Sequence, residues 1–281
     1  MKNFIRSSVL LLTVAVLNSC AEKPKKEAPA EETSTRVEMT TTKGVLLIDL
    51  YNDTPLHRDN FVKLAKEKRF DSLLFHRVIA EFMVQSGDPD SKNAKPGDSL
   101  GEGDLDYMVD AEINAMRFHK KGALAAARDG NLKRASSAMQ FYFVQGRVFN
   151  DSLLDYSEER INTWLAEHHY KNDPANSELV NSLLKAEDVE NEELQDSLND
   201  TISSLAKSYI NFDRYSIPED HREVYRTLGG TPHLDQNYTV FGEVISGLEV
   251  IDSIAAMQTG TLDRPVEDAR VLSVRVLEKE Q

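Results

Sequence analysis

The chain has 281 residues, of which 40% are hydrophobic and 28% are charged, as expected for a folded globular protein. This length allows one ordinary domain with a large insertion, or two small domains. The formal net charge of −14 argues against nucleic acid as a partner, because phosphate binding needs a basic face.

The first residues have the pattern of a secretory signal. Lys2 and Arg6 precede a short apolar core, VLLLTVAVL, which is followed closely by Cys20. An apolar core of about nine residues is too short to span a bilayer as a helix, which needs about 20. We therefore predict a signal peptide over residues 1–19, not an anchor helix.

Cys20 is the only cysteine, so the chain cannot form an intramolecular disulfide. Its position directly after the apolar core resembles a bacterial lipobox, in which the cysteine is lipidated and becomes the mature N-terminus. The alternative is an ordinary signal peptide with a chance cysteine near the cut. The lipobox interpretation predicts a lipid anchor in the envelope of a Gram-negative bacterium, facing the periplasm, on the outer rather than the inner membrane.

The segment after Cys20 is predicted to be a flexible tether over residues 20–36. Its sequence, AEKPKKEAPAEETSTR, is rich in Lys, Glu, Ala and Pro and has no apolar periodicity. Such a segment cannot bury enough apolar surface to fold.

The first folded elements are predicted to be a β-hairpin and a helix. Thr42–Gly44 is expected to form the turn between two strands, with Gly44 suited to positive φ. Thr54 is the predicted N-cap of the helix and Pro55 lies in its first turn. Apolar residues at helical spacing, Phe61 and Leu64, predict that one face of this helix is buried.

Strand-like segments dominate the rest of the chain outside the middle. FHRVIAEFMVQSGD, GALAAARDG, SAMQFYFVQG and RVLSVRVLEK have strand character, and a Gly/Pro/Asp-rich loop covers residues 89–106. YTVFGEVISGLEVIDSIAAM predicts a strand, a turn and a helix. Many strands with two separated helices favour a closed antiparallel barrel with helical lids.

Residues 147–228 differ in composition and are predicted to be an acidic helical insertion. They contain 18 Asp and Glu against 8 Lys and Arg, so most of the net negative charge lies here. Leu194, Leu198, Ile202 and Leu205 fall on one helical face, and two shorter apolar faces precede them. His168 and His169 are adjacent and point about 100° apart on a helix, so no metal site is predicted.

Four ordered blocks resemble the cyclophilins, which are peptidyl-prolyl cis-trans isomerases. The blocks are FHRVIAEFMVQSGDP, GALAAARDG, SSAMQFYFVQG and PHLDQNYTVFGEVISGLEVID. Their order and spacing match over residues 37–146 and 229–278, and the predicted domain extends to residue 281. The resemblance implies a mainly β fold: a closed eight-stranded antiparallel barrel capped by two helices, with a shallow groove on the outside.

Arg77 is the candidate catalytic residue. Rotation about an amide C–N bond has a barrier of about 18–20 kcal/mol, because the bond has partial double-bond character. A hydrogen-bond donor aimed at the proline nitrogen favours the twisted state, in which that nitrogen regains a lone pair. A guanidinium stays charged and presents several rigid N–H groups. This chemistry requires no nucleophile, no metal and no cofactor.

The resemblance assigns the other groove positions. Residues that match the apolar pocket for the proline ring are Phe82, Met83, Tyr142 and Leu234. Polar groups that match the holders of the substrate backbone are Gln85 and Gln140, and Gln140 is predicted to act with Arg77 in catalysis. Main-chain pairing with the peptide matches Ala127 and Arg128, and the remaining predicted substrate-binding residues are His233 and Tyr238.

Several of these positions depart from the common family residue. His233 stands where Trp is common and Tyr238 where His is common, while Tyr142 replaces Phe and Arg128 replaces Asn. None of these changes removes the guanidinium or the apolar pocket. His76 is expected to be structural.

These features predict an isomerase that rotates X-Pro bonds in extracytoplasmic polypeptides while a lipid holds it to a membrane. One alternative is a cyclophilin-like module that binds proline-containing clients with little turnover, and another is a purely structural lipoprotein. The insertion is predicted either to hold unfolded clients beside the groove or to be a self-packed helical hairpin that only decorates the barrel.

Overall fold

The structure is a computed structural model that describes residues 35–277. The predicted signal over residues 1–19, the predicted lipidation site Cys20 and most of the predicted tether lie outside the described residues. The residues that are described belong to one compact unit. Within that range, none of the helices combines the length and the apolarity that a bilayer crossing requires.

The described chain contains ten strands and six α-helices. The strands are β1 (Thr35–Thr41), β2 (Gly44–Leu50), β3 (Arg77–Ile79), β4 (Met83–Ser86), β5 (Met108–Val109), β6 (Ala123–Ala126), β7 (Ser136–Ser137), β8 (Phe141–Val144), β9 (Val240–Ser246) and β10 (Val271–Val276). The helices are α1 (Pro55–Lys66), α2 (Asp151–Asn172), α3 (Ser177–Asp188), α4 (Glu192–Ala206), α5 (Glu219–Thr227) and α6 (Leu248–Ala255).

Eight strands form one curled antiparallel sheet in the order β10-β1-β2-β9-β6-β8-β4-β3, and β5 pairs with β7 separately. The mainly β fold is as predicted, but the closed barrel is not. The two outer strands, β10 and β3, do not pair with each other, so the sheet is a half-barrel. Near this gap, the chain before β3 makes backbone hydrogen bonds to residues 269–271, from Phe75 N to Ala269 O at 2.9 Å and from Ser72 N to Val271 O at 2.8 Å.

The core lies inside the curl of the sheet. In β2, Leu46, Ile48 and Leu50 are fully buried and alternate with more exposed residues, as a strand with one face on the core requires. The predicted turn at Thr42–Gly44 is present, and Gly44 has φ +141°. The predicted amphipathic helix is α1, which buries Phe61 and Leu64, and α6 adds its own buried face to the same core.

The N-terminus of α1 is capped differently from the prediction. Pro55 occupies the first turn as predicted, but the Thr54 side chain makes no capping hydrogen bond. Instead, the Glu112 carboxylate accepts from the backbone N–H groups of Leu56 and His57, both at 3.0 Å. A carboxylate suits this position because the first N–H groups of a helix lack partners and carry partial positive charge.

The opening motif forms a β-hairpin. β3 pairs with β4 in antiparallel register, so that Arg77 stands opposite Gln85. The turn between them contains Glu81 at φ +60°. After β4, Gly87 has φ +102°, and a Cβ there would lie 2.2 Å from the Met139 carbonyl oxygen. Only glycine therefore allows the chain to leave the hairpin at this point.

The middle region contains helices α2 to α5, and two of these pack against the sheet body. Tyr225 of α5 is fully buried in a cluster with Phe149, Leu154 and Ile161. Helices α3 and α4 lie against each other and against α2. The insertion packs on itself through this cluster, and it is also tied to the rest of the fold, because the Tyr225 hydroxyl donates to the buried Asp235 at 2.7 Å.

Candidate active site

Arg77 is at the surface, where a ligand can reach it. Its side chain is 44% exposed, and its Nε lies 3.7 Å from Oδ2 of Asp263, beyond hydrogen-bond distance. Among residues 35–277 its guanidinium donates no hydrogen bond. The N–H groups of Arg77 are therefore available to a ligand.

Arg77 borders a cavity of about 480 Å³ on the outer face of the sheet, which we call the Arg77 cavity. Nine of the predicted site residues line it: Arg77, Phe82, Met83, Gln85, Ala127, Arg128, Tyr142, Leu234 and Tyr238. Met83, Tyr142 and Leu234 are buried in one apolar cluster, and Phe82 packs against that cluster from the side. The cavity therefore combines an apolar wall with two cations, Arg77 and Arg128.

Gln140 lies beside the Arg77 cavity and is not part of its lining. Its Nε2 donates to the carbonyl oxygens of Gly101 and Gly103, both at 2.8 Å, and its Oε1 accepts from Gln85 Nε2 at 2.9 Å. The predicted catalytic role of Gln140 stays a prediction. In this structure its amide holds Gln85 in place and fixes the loop that contains the two glycines.

Ala127 and Arg128 were predicted to pair with the peptide through their main chain, and one of the two already uses its main chain within the protein. The Ala127 N–H donates to Gln140 O, and the Ala127 carbonyl accepts from Ser137 N, both at 2.9 Å. The main chain of Arg128 makes no backbone hydrogen bond within the described residues. Its guanidinium donates to Asn237 and lies 4.8 Å from the centre of the Tyr238 ring. The Arg128 main chain is thus the free edge of this segment.

His233 was predicted to bind substrate, but it does not line the Arg77 cavity and instead packs behind Phe82, which does. Its ring stacks on Phe82, with centroids 5.6 Å apart and planes at 22°. Burial first, and then the nearby cations Arg160 and Arg147, lower the pKa of His233 to about 4. The ring is therefore neutral near pH 7 and packs as a flat, weakly polar surface.

A buried hydrogen-bond network fixes the far wall of the cavity. The Asp235 carboxylate is fully buried and accepts from the Tyr225 hydroxyl at 2.7 Å and from the His119 backbone N–H at 2.9 Å. The His119 ring lies between Asp235 Oδ1, 2.8 Å from Nδ1, and the Tyr142 hydroxyl, 3.0 Å from Nε2. Tyr142 is therefore connected through His119 and Asp235 to helix α5.

His76 is buried beside Arg77, which fits the structural role predicted for it. Neither ring nitrogen has a hydrogen-bond partner among the described residues. Burial is the main cause that lowers the pKa of His76 to about 4, and the Arg77 charge adds to it while Asp88 opposes it. A neutral His76 adds no second positive charge next to Arg77 at pH 7.

Several residues at the site were not predicted from the sequence. Two loops contribute most of them: residues 99–102 line the Arg77 cavity after β4, and Leu262 and Asp263 line it before β10. Leu262 is 63% exposed. Trp164 of α2 packs against the apolar cluster that holds Met83. Nothing in the local sequence marked either loop as part of the site. The Trp164 position fell on a predicted helical face, but periodicity does not say which surface that face covers.

Comparisons with known proteins agree with the earlier resemblance. The family model described as cyclophilin type peptidyl-prolyl cis-trans isomerase/CLD matches residues 36–169 and 180–276. A provisionally named peptidyl-prolyl cis-trans isomerase of Staphylococcus haemolyticus is 28% identical over 257 residues, which cover 91% of this chain and 98% of that protein. One from Staphylococcus aureus strain USA300 is 28% identical over 259 residues, covering 92% and 100%.

Among solved structures, a Cryptosporidium parvum cyclophilin-type peptidyl-prolyl cis-trans isomerase matches with 16% identity and a TM-score of 0.49. The match covers 88% of this chain and 100% of that one.

Tyr225→Phe should destabilise the protein by about 2 kcal/mol, because it leaves one oxygen of a buried carboxylate without its donor. Urea unfolding monitored by circular dichroism measures the free energy of unfolding. The matched control is Tyr107→Phe, which removes a hydroxyl that donates to Asn60 at 2.7 Å in an exposed position. Equal losses in the two variants would show that the Asp235 network contributes nothing special.

Acid should destabilise the protein through His76. Its pKa in the folded state, about 4, is below the value of 6.5 for a free side chain, so the unfolded state binds a proton first. This contribution to stability is complete above pH 6.5 and is lost as the pH falls toward 4, by about 3 kcal/mol in total. In His76→Leu, the decline of unfolding free energy between pH 7 and pH 4 should be smaller by about that amount. An identical decline in the variant and the wild type would contradict this assignment.

Proposed function

This chain belongs to the cyclophilin-type peptidyl-prolyl cis-trans isomerases, and we propose that it isomerises X-Pro bonds of extracytoplasmic polypeptides at the Arg77 cavity. The observation that carries the proposal is a guanidinium with unused N–H groups in a cavity that has an apolar wall. The substrate class is a polypeptide with a proline at the bond that rotates.

The cavity fits the two needs of this reaction. X-Pro bonds are nearly balanced between cis and trans, but they exchange in tens to hundreds of seconds without a catalyst. A proline ring seated against Met83, Tyr142 and Leu234 would be held while the preceding carbonyl turns. No covalent bond breaks, so the catalyst has only to favour the twisted amide over the planar one.

Arg77 supplies the group that favours the twist. An N–H aimed at the proline nitrogen gains strength as that nitrogen becomes a hydrogen-bond acceptor, which happens only when resonance is lost. The contact to Asp263 is long and both side chains are nearly half exposed, so it competes weakly with a substrate. Gln85, held by Gln140, lies on the neighbouring strand, where it can donate to the substrate backbone.

Arg77→Ala should lose more than tenfold of the catalysed exchange, because it removes a donor that acts mainly in the transition state. Exchange spectroscopy on an Ala-Pro peptide measures the cis-trans rate with and without enzyme. The matched control is Arg275→Ala, which removes an exposed arginine that is paired with Glu38 across β1 and β10.

Full exchange catalysis by Arg77→Ala would rule out Arg77 as the catalytic residue. Peptide binding by the wild type without any faster exchange would favour the alternative of a proline-binding module with little turnover.

We place the site of action in the periplasm of a Gram-negative bacterium, with the protein held by lipid at Cys20. The N-terminal sequence supports this proposal: a basic start, a short apolar core and then the single cysteine of the chain. The Lys-, Glu- and Pro-rich residues after Cys20 would give the folded part reach from the membrane surface.

Radiolabelled palmitate should label the wild-type protein expressed in a Gram-negative host, and the labelled protein should sediment with the outer membrane. Cys20→Ala should take up no label, because no other cysteine is present to accept a lipid. A chain that starts at residue 21 serves as the unlabelled control. Unlabelled wild type, or label that persists in Cys20→Ala, would exclude this anchor.

A further inference from the structure

A second cavity of about 500 Å³ adjoins the Arg77 cavity. Phe82 lines both cavities, and His233, which stacks on Phe82, lines the second. The two cavities are therefore separated by a wall about one aromatic pair thick. We call the second cavity the α2 subsite, because helix α2 forms its outer side.

Helix α2 presents one face to this cavity and buries another. Leu153, Tyr156 and Arg160 follow the spacing of a single helical face, and all three line the α2 subsite. Leu154 and Ile161, on a different face, are fully buried in the cluster with Tyr225. The helix is thus anchored by its buried side, and the residues toward the cavity are not needed for the core.

The apolar residues toward the cavity are unusually exposed. Tyr156 is 71% exposed and Leu153 is 37% exposed, although both are large and apolar. Phe149 and Phe82 also line the cavity and add to its apolar surface. Such a surface, next to a substrate groove and left open, can bury a large apolar side chain of a ligand.

The charge at the cavity is positive, although the insertion as a whole is acidic. Arg147 and Arg160 both line the subsite, and Glu81 is its single carboxylate. Arg147 approaches Glu81 only to 3.9 Å, with both side chains at least half exposed. Arg160 lies 4.9 Å from the Trp164 ring centre and forms no salt bridge within residues 35–277. One or both arginines can therefore pair with an acidic group of a ligand.

We propose that the α2 subsite binds a large apolar side chain, flanked by an acidic residue, of the same polypeptide whose proline occupies the Arg77 cavity. This proposal rests on the proposed function and adds to it a sequence preference away from the proline. The continuous wall of Phe82 and His233 leads a bound chain from one cavity into the next. One aromatic pair separates the two cavities, and an extended chain advances about 3.4 Å per residue. We therefore expect the apolar residue two or three positions from the proline.

The experiment uses the full-length protein and a series of peptides that contain a single Ala-Pro bond. In each peptide one alanine, one to four positions before or after the proline, is replaced by Phe. The kcat/KM of each is divided by that of the all-alanine peptide. For the wild type we expect a ratio of about ten when the Phe lies two or three residues from the proline, on one side of the proline only. Burial of a large side chain predicts a gain of this size.

The double variant Leu153→Ser with Tyr156→Ser should bring that ratio down to about one. The matched control is Leu205→Ser, which alters a side chain of α4 that is 45% exposed and lines neither cavity, and it should keep the wild-type ratio. Adding Glu next to the Phe should raise kcat/KM further at low salt, and the double variant Arg147→Gln with Arg160→Gln should remove that gain. Circular dichroism confirms that each variant is folded.

A ratio near one at every position in the wild type, or an unchanged ratio in the double variant, would overturn the α2 subsite. These outcomes are distinct from failure of the proposed function, which appears as no catalysis of the all-alanine peptide or no loss in Arg77→Ala.

Discussion

The buried carboxylate of Asp235 is the constraint on which the groove depends. A charge with no exposed surface is tolerated only when hydrogen bonds and partners compensate for lost hydration. Its partners come from two distant parts of the chain, His119 before β6 and Tyr225 in α5. Asp235 directly follows His233 and Leu234 in the chain. His233 lines the α2 subsite and Leu234 lines the Arg77 cavity. Satisfying this one charge therefore fixes the turn that shapes both cavities.

This dependence makes the acidic insertion part of the groove. Burial, and then the Asp235 charge, raise the pKa of Tyr225 well above its usual value, so its hydroxyl remains a donor. Burial, and then Tyr238 and the Asp235 charge, raise the pKa of Tyr142 well above its usual value. Helix α5 thus holds Asp235, Asp235 holds His119, and His119 orients Tyr142 in the wall of the cavity. Helix α2, packed on α5, presents its open face to the α2 subsite, which lies across Phe82 and His233 from the Arg77 cavity.

Sequence patterns predicted the structure of short segments, but they did not predict contacts between residues that lie far apart in the chain. Alternation in β2 and the glycine at position 44 were sufficient to place the first hairpin, since both effects act within a few residues. The side chain of Thr54 was predicted to cap α1. Instead, the carboxylate of Glu112, which lies far along the chain, accepts hydrogen bonds from two N–H groups of the first turn. The barrel was expected to close from the pattern of strands and from the family resemblance, but β3 and β10 do not pair. Whether two strands far apart in the chain meet depends on the registers between them, which no local pattern encodes. Arg77 and the pocket residues were found by their motif, and Asp263 could not be, because its loop has none.

Arg77 makes no close ion pair, although the protein carries a formal net charge of −14. At Arg77 the nearest carboxylate stays at 3.7 Å, and partial exposure of both groups lets water screen the pair. Burial keeps His76 neutral at pH 7, so it neither repels Arg77 nor competes with it for a substrate oxygen or nitrogen. The N–H groups of Arg77 therefore stay available to a ligand, and a ligand that displaced water from the cavity would strengthen their electrostatic effect.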